Sequence, residues 1–227
     1  MATDYLRAES TLVEAEAMAL GASDFDTLSR LYMPLQEARR QRRQRCGEGT
    51  VRLDILAADA STSLDPERIV SEYPHGQLLV AGWGTIEPAR RLRQIQAERA
   101  LFVETFLAAV YPIGTGKIIV IVPDDQVLLP HVDPTTSVDA LLRSLPPHAV
   151  VVAEAELPRG PHRGTPQTYA KVMSMWERLH APFLAAADAT ADLMKRIQAY
   201  RRTIAVDYAC ELAHQKLSDV ARKMPAR

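Results

Sequence analysis

Apolar positions divide this chain into two helical ends and an α/β middle. Towards both ends, apolar residues recur every three or four positions, which is the spacing of an amphipathic helix. Between them, consecutive apolar residues at 78–81 and 118–122 are typical of strands buried on both faces. The pattern predicts a helical hairpin over residues 1–48, an α/β core over 49–160 and a helical segment over 161–227. We expect the two helical ends to pack together as one unit.

The middle of the chain contains five strand-like runs. They lie at residues 51–56, 78–81, 102–110, 118–122 and 150–152. About 18 residues, amphipathic in pattern, separate the second run from the third, which is long enough for the helix of a parallel crossover. We therefore predict an α/β fold in which a central, mostly parallel five-strand sheet is flanked by N- and C-terminal helical hairpins.

The turn after the second run, Gly82-Trp83-Gly84, has two interpretations. It is similar to the phosphate turn of dinucleotide-binding folds, and Glu104 follows where such folds place the acid that binds ribose. However, Glu87 stands at the position of the third glycine, and its carboxylate would repel a pyrophosphate at the start of the next helix. We therefore favour a tight strand-to-helix turn without a dinucleotide.

Composition and charge exclude several classes of partner. The net charge is −1, so no overall positive field draws the chain to nucleic acid or to an anionic membrane. No stretch approaches the roughly 18 consecutive apolar residues of a membrane span, and the N-terminus lacks the apolar core of a signal peptide. Cys46 and Cys210 lie far apart and give neither a zinc-finger pattern nor a disulfide framework. We expect a cytoplasmic protein with two free thiols and no metal, and the sequence leaves any cofactor open.

Five arginines crowd the end of the second predicted helix. They are Arg39, Arg40, Arg42, Arg43 and Arg45. Such a cluster could bind nucleic acid, but no aromatic residues lie between the arginines to stack on bases, and the whole chain is slightly acidic. We therefore expect this helix end to be solvated or to face a protein partner, and we expect no binding to nucleic acid.

The loop at residues 159–165 is a candidate site for an anion. Arg159, His162 and Arg163 stand just before a predicted helix, whose first N–H groups also attract anions, and Thr165 lies at the start of that helix. These four residues predict a site for a small anionic ligand, either a phosphate or a carboxylate. The alternative is a flexible basic loop.

Loop histidines and carboxylates offer a second candidate site. His131 and Glu154 are the candidates for acid–base chemistry, because sites are often built in loops at one edge of a sheet. His131 and Asp133 could also ligate a metal together with His75 or His162. Their spacing is not diagnostic, so we favour no metal.

Both ends of the chain resemble a known helical repeat. In residues 192–217, the positions that fit the repeat are Tyr200, Ile204, Val206, Asp207, Ala213, His214 and Leu217. This segment is similar to the junction of two tetratricopeptide repeats, and residues 23–32 are similar to one half of the same repeat. The usual proline of the repeat is replaced by Tyr208, and its glycines by Ser23 and Ser218. The resemblance implies antiparallel helix pairs.

Three functions remain open from these patterns. The leading hypothesis is a non-catalytic binding or scaffold protein that presents a helical surface to a protein partner. The alternative is an enzyme or sensor for a phosphorylated or carboxylated small molecule that uses the loop at residues 159–165. Nucleic-acid binding through residues 39–45 ranks third. An exposed apolar groove along the helices would favour the first function, and a deep pocket at the loop would favour the second.

Overall fold

The chain folds into two compact units. The structure is a computed structural model that describes residues 4–114, 116–131 and 136–225. Residues 4–44 and 176–225 form one unit, which we call the helical unit, and Arg45–Met175 form the other, the α/β unit. Among the described residues, no helix combines the length and the apolar character needed to cross a membrane.

Helices build the first unit. They are α1 (Tyr5–Ala22), the first part of α2 (Phe25–Glu48), the second part of α6 (Pro166–Ala189), α7 (Leu193–Val206) and α8 (Glu211–Arg222). Aspartates fix two of the starts, because a side-chain oxygen there accepts a backbone N–H that has no partner within the helix. Asp4 accepts the N–H of Arg7 in α1, and Asp192 accepts the N–H of Lys195 in α7.

The core of the helical unit joins segments that lie far apart in the sequence. Leu28 and Leu35 of α2 are fully buried, and they belong to one apolar cluster with Ile197 of α7 and Leu217 of α8. Burying each such side chain contributes about 1.5–3 kcal/mol relative to leaving it in water. The N-terminal and C-terminal helices therefore depend on one another for burial.

A mixed sheet forms the centre of the α/β unit. Within the described residues it has six strands: β1 (Thr50–Leu56), β2 (Gly76–Trp83), β3 (Val103–Ile113), β4 (Gly116–Ile121), β5 (Val150–Ala153) and β6 (His162–Arg163). Their order is β5-β4-β3-β2-β1-β6. Strands β1, β2 and β3 are parallel, whereas β4, β5 and β6 pair antiparallel to their neighbours. The α/β class is confirmed, but the prediction of five mostly parallel strands is wrong.

The antiparallel pairings follow from local chain geometry. β3 and β4 form a hairpin in which Ile113 pairs with Gly116, and Gly114 has a φ of +54°. Such a tight turn leaves no room for the dozen or more residues that a parallel crossover needs. β6 is only two residues long and lies in a stretch rich in glycine and proline, so no apolar run marks it in the sequence.

In the part of the chain that the structure describes, three helices cover one face of the sheet: α3 (Pro66–Glu72), α4 (Glu87–Glu98) and α5 (Val138–Ser144). Leu78 and Val80 of β2 share an apolar cluster with Leu92 of α4 and Leu141 of α5. α3 connects β1 to β2, and α4 connects β2 to β3. The C-terminal ends of these three parallel strands therefore meet at one edge of the sheet, which we call the carboxyl edge.

Candidate functional site

An open cleft lies at the carboxyl edge of the α/β unit. Its volume is about 460 Å³, within the usual range for small-molecule sites. The wall comes from the loop after β1, the end of β2 and the start of α4, and it includes Ser63, Leu64, Trp83, Thr85, Glu87 and Arg91. In α/β sheets, ligands bind outside the carboxyl ends of parallel strands. The position and the size of the cleft both suit a ligand.

Two glycines let the chain turn sharply from β2 into α4. Gly84 has a φ of +62°, a left-handed conformation that residues with a Cβ disfavour. A Cβ on Gly82 would lie 2.8 Å from the carbonyl oxygen of Thr85. The segment is therefore the tight strand-to-helix turn that the sequence predicts, and it holds Trp83 in the wall of the cleft.

Trp83 is half-buried, and its ring contacts a cationic side chain. The ammonium nitrogen of Lys117 lies 5.7 Å from the centre of the indole, a distance at which a cation is attracted to the ring. The same nitrogen donates a hydrogen bond to the carbonyl oxygen of Ala57 at 3.3 Å. The cleft therefore contains a flat apolar surface, and Lys117 links this surface to the loop after β1.

The charged groups of the cleft have opposite signs. Glu87 lies in the first turn of α4, where a carboxylate interacts favourably with the helix dipole, and it forms an ion pair with Arg90. Arg91 donates a hydrogen bond to the side-chain oxygen of Gln94 at 3.2 Å. The cleft therefore offers a carboxylate and a guanidinium together, and it does not present the single positive charge field that an anion site requires.

The loop at residues 159–165 does not line this cleft; it lies along β1 and contains the edge strand β6. The backbone N–H of Gly160 donates to Asp54 of β1 at 2.8 Å, and His162 pairs with Val51. Because His162 and Arg163 are successive strand residues, their side chains point to opposite faces of the sheet.

The remaining members of the predicted anion site have separate environments. Arg159 is exposed, and its carbonyl oxygen contacts the Nε2 atom of His162 at 3.0 Å. The hydroxyl of Thr165 accepts the backbone N–H of Thr168 at 3.2 Å and thereby caps α6. Anion binding by Arg159, His162, Arg163 and Thr165 stays a prediction, and the strand geometry directs His162 and Arg163 to opposite faces of the sheet.

The proposed acid–base residues lie at the carboxyl edge. Glu154 follows β5 in a short 3-10 turn, Glu154–Glu156, and is half-buried. His131 follows Pro130, whose carbonyl oxygen accepts the hydroxyl of Tyr111 at the end of β3. By contrast, His75 precedes β2 at the opposite edge. Asp133, the other candidate ligand, lies outside the described residues.

The structure separates the five clustered arginines. Arg40 is exposed, as predicted, and pairs with Glu37 of its own helix at 2.8 Å. Arg39 is buried, and its Nε atom lies 3.1 Å from the carboxylate of Glu9 in α1. Arg43 is only 3% exposed. The prediction of a solvated or partner-facing helix end is therefore wrong for Arg39 and Arg43, because buried carboxylates from other helices neutralise them.

Arg43 belongs to a buried ionic cluster with His180 of α6, Asp207 at the end of α7 and Cys210 at the start of α8. The carboxylate of Asp207 accepts hydrogen bonds from Arg43 at 2.6 Å and from the Nδ1 atom of His180 at 2.7 Å. The side chain of Asp207 is 1% exposed. The cluster therefore ties four helices together around one buried carboxylate.

The protonation states of the cluster follow from these contacts. Burial alone would lower the pKa of His180, but hydrogen bonds to Asp207 and Cys210 outweigh burial and raise the pKa to about 10. Burial opposes ionisation of Asp207, but the charge of Arg43 and the hydrogen bond from His180 lower its pKa to about 2. At neutral pH the cluster therefore holds an imidazolium, a guanidinium and a carboxylate.

A second buried histidine beside this cluster, His214 of α8, is neutral. Its Nδ1 atom donates to the carbonyl oxygen of Cys210 at 2.8 Å, and its Nε2 atom accepts from Arg39 at 3.0 Å. Burial is the main cause that lowers the pKa of His214 to about 4. The two histidines of the helical unit therefore carry different charges at the same pH.

The sequence patterns do not predict this cluster, because no spacing relates His180 to Asp207. One signal was present in α2. Arg39 and Arg43 continue the helical spacing of the buried residues Leu28 and Leu35, so all four occupy the same face. A charged residue in line with an apolar stripe indicates a buried partner.

No protein family, curated protein or solved structure matches the chain. The resemblance of residues 23–32 and 192–217 to tetratricopeptide repeats therefore stays a prediction. Helices α7 and α8 carry the longer part of it.

Proposed function

We propose that the protein is a binding protein whose α/β unit captures a small ring compound that bears hydroxyl groups, such as a monosaccharide or a nucleoside. The observation that carries the proposal is the position of Trp83 in the wall of a cleft of about 460 Å³ at the carboxyl edge. This is the edge at which α/β sheets bind ligands.

Trp83 accounts for the ring in the ligand. An indole face stacks on the flat or apolar face of another ring, and such stacking contributes about 1–3 kcal/mol per nucleic-acid base. The ammonium group of Lys117 contacts the indole before any ligand arrives. A restrained surface loses little side-chain entropy on binding, which favours affinity.

The polar groups account for the hydroxyls. Glu87 can accept hydrogen bonds from hydroxyl groups, and Arg91 and Ser63 can donate hydrogen bonds to their oxygens. A phosphate is a poor fit, because the carboxylate of Glu87 stands at the helix start where an anion would otherwise bind. The ligand should therefore be neutral.

The test uses Trp83 as its own reporter. The chain has two tryptophans, and Trp176 is 2% exposed in the helical unit, so Trp176→Phe leaves Trp83 as the sole indole. Titration with glucose, ribose, adenosine, AMP and inorganic phosphate should give a saturable fluorescence change with a neutral sugar or with adenosine. Comparison of ribose with adenosine distinguishes sugar recognition from base stacking.

A matched pair of variants controls this experiment. Glu87→Gln should weaken binding about tenfold or more, since hydrogen bonds to charged groups contribute about 1.5–3 kcal/mol. Glu72→Gln removes an exposed carboxylate from α3 outside the cleft and should leave affinity unchanged. If no neutral compound changes the fluorescence, or if AMP binds more tightly than adenosine, the proposal is refuted.

The other functions expected from the sequence stay predictions. Exposed methionines on the helical unit, Met18 at 77% and Met33 at 42%, support a protein-binding surface, because methionine adapts readily to different partners. An enzyme or sensor that uses residues 159–165 for an anion remains the alternative. A cytoplasmic location also remains a prediction.

A further inference from the structure

We propose that His180, Asp207 and Cys210 of the helical unit form a zinc-binding site. Each side chain offers one donor atom, and the three donor atoms all lie within 4.8 Å of one another. They supply a nitrogen, an oxygen and a sulfur, which are the atoms that bind zinc in proteins. This site is separate from the cleft of the α/β unit and does not depend on the function proposed for it.

The distances suit a tetrahedral zinc ion. Zinc bonds of about 2.0–2.3 Å place neighbouring donors roughly 3.4–3.6 Å apart. The Nδ1 atom of His180 lies 2.7 Å from the Oδ2 atom of Asp207, so this pair must separate by less than about 1 Å. Two donor atoms that lie as far as 4.8 Å apart must approach each other by a little more than 1 Å to bind the same ion.

Local structure fixes two of the three ligands. Asp207 is the C-terminal cap of α7, and Cys210 is the N-terminal cap of α8. The backbone N–H of Cys210 donates to the carbonyl oxygen of Asp207 at 3.0 Å, and the N–H of Ala209 donates to its carboxylate at 3.2 Å. The turn between α7 and α8 therefore holds a carboxylate and a thiol side by side, facing His180 of α6.

Arg43 would support the site rather than compete with it. It binds the Oδ1 atom of Asp207 at 2.6 Å, which leaves the other oxygen to the metal. Zinc would be held by the neutral imidazole of His180 and the thiolate of Cys210, the forms in which these side chains ligate metals.

The donor set also restricts which metals fit. A thiolate is a soft ligand, which favours zinc over magnesium and calcium. The side chain of His180 is 15% exposed, so the cluster borders solvent at this residue. A water molecule can complete the tetrahedron from that side, as in zinc sites with three protein ligands.

The test uses Co²⁺, which occupies zinc sites and absorbs visible light. The full chain, stripped with EDTA, should bind about one equivalent of Co²⁺ in tetrahedral geometry, with a thiolate-to-cobalt charge-transfer band in the near ultraviolet. Added Zn²⁺ should displace the cobalt and raise the melting temperature. Cys210→Ser should abolish the band. Cys46→Ser, which alters the buried cysteine of the α/β unit, should retain it.

Several outcomes would overturn the proposal. In the first, the wild-type protein shows no charge-transfer band. In the second, the band survives in Cys210→Ser and is lost in Cys46→Ser. If Cys210→Ser does not fold, the zinc affinity of His180→Gln tests the proposal instead. This substitution should lower zinc affinity by about tenfold or more, and an unchanged affinity in a folded His180→Gln protein would exclude the site.

Discussion

Asp207→Asn should strongly destabilise the protein. The substitution keeps the size of the side chain but removes the negative charge that faces Arg43 at 2.6 Å and His180 at 2.7 Å. Arg43 is 3% exposed, so its charge would remain buried without its counter-charge. Breaking a buried ion pair in this way costs about 3–5 kcal/mol of unfolding free energy. For a chain of this size, about 2–4 °C per kcal/mol gives a loss of at least about 6 °C in melting temperature.

The measurement is thermal unfolding followed by circular dichroism at pH 7 in EDTA, so that bound metal cannot contribute. Asp219→Asn is the matched control, because Asp219 forms an exposed pair with Arg222 on α8, where both side chains are about 60% exposed. Exposed pairs contribute about 0–1 kcal/mol. Equal melting temperatures for the two variants would refute the account of the cluster as a buried, charge-balanced link between helices.

Two further predictions test the sheet and the titration of the cluster. Val80→Asp should lower the free energy of unfolding by about 3 kcal/mol or more, because Val80 is 0% exposed in the centre of β2 and the new carboxylate would have no partner. An unchanged denaturation midpoint in urea would contradict this burial. The pKa of His180 is raised in the folded state from 6.5 to about 10, so its contribution to stability is complete below pH 6.5 and is lost as the pH rises through 10. The unfolding free energy in EDTA should therefore fall between pH 7 and pH 10, and this decrease should be smaller in His180→Gln. If the unfolding free energies of the two proteins change with pH in parallel, the raised pKa of His180 is contradicted.

The sequence predicts the elements of the fold better than their arrangement. Consecutive apolar residues mark β2 and β4, because a strand buried on both faces has no polar positions. Strand direction is not encoded in such a run. It depends on the connection, and the hairpin at Gly114 turns what looks like another parallel strand into an antiparallel one.

The candidate sites also differ in how far the sequence predicts them. The cleft has a local signal, since Gly82, Trp83 and Gly84 follow an apolar run directly. The ionic cluster has only a partial one, the alignment of Arg43 with the apolar face of α2, because Asp207 lies 164 positions away and meets Arg43 only after folding. Local patterns also cannot show that β6 places His162 beside β1, since a two-residue pairing depends on the partner strand and not on its own sequence.

The discontinuous helical unit has a consequence for synthesis on the ribosome. Leu28 and Leu35 emerge early, but Ile197 and Leu217, which share their core, follow the whole of Arg45–Met175. At 5–20 residues per second, translation of that intervening stretch takes roughly 7–26 s. During this interval the apolar face of α2 lacks its native partners, whereas the continuous α/β unit can complete its sheet. Helix α2 therefore exposes its apolar face on the nascent chain until α7 and α8 have been translated.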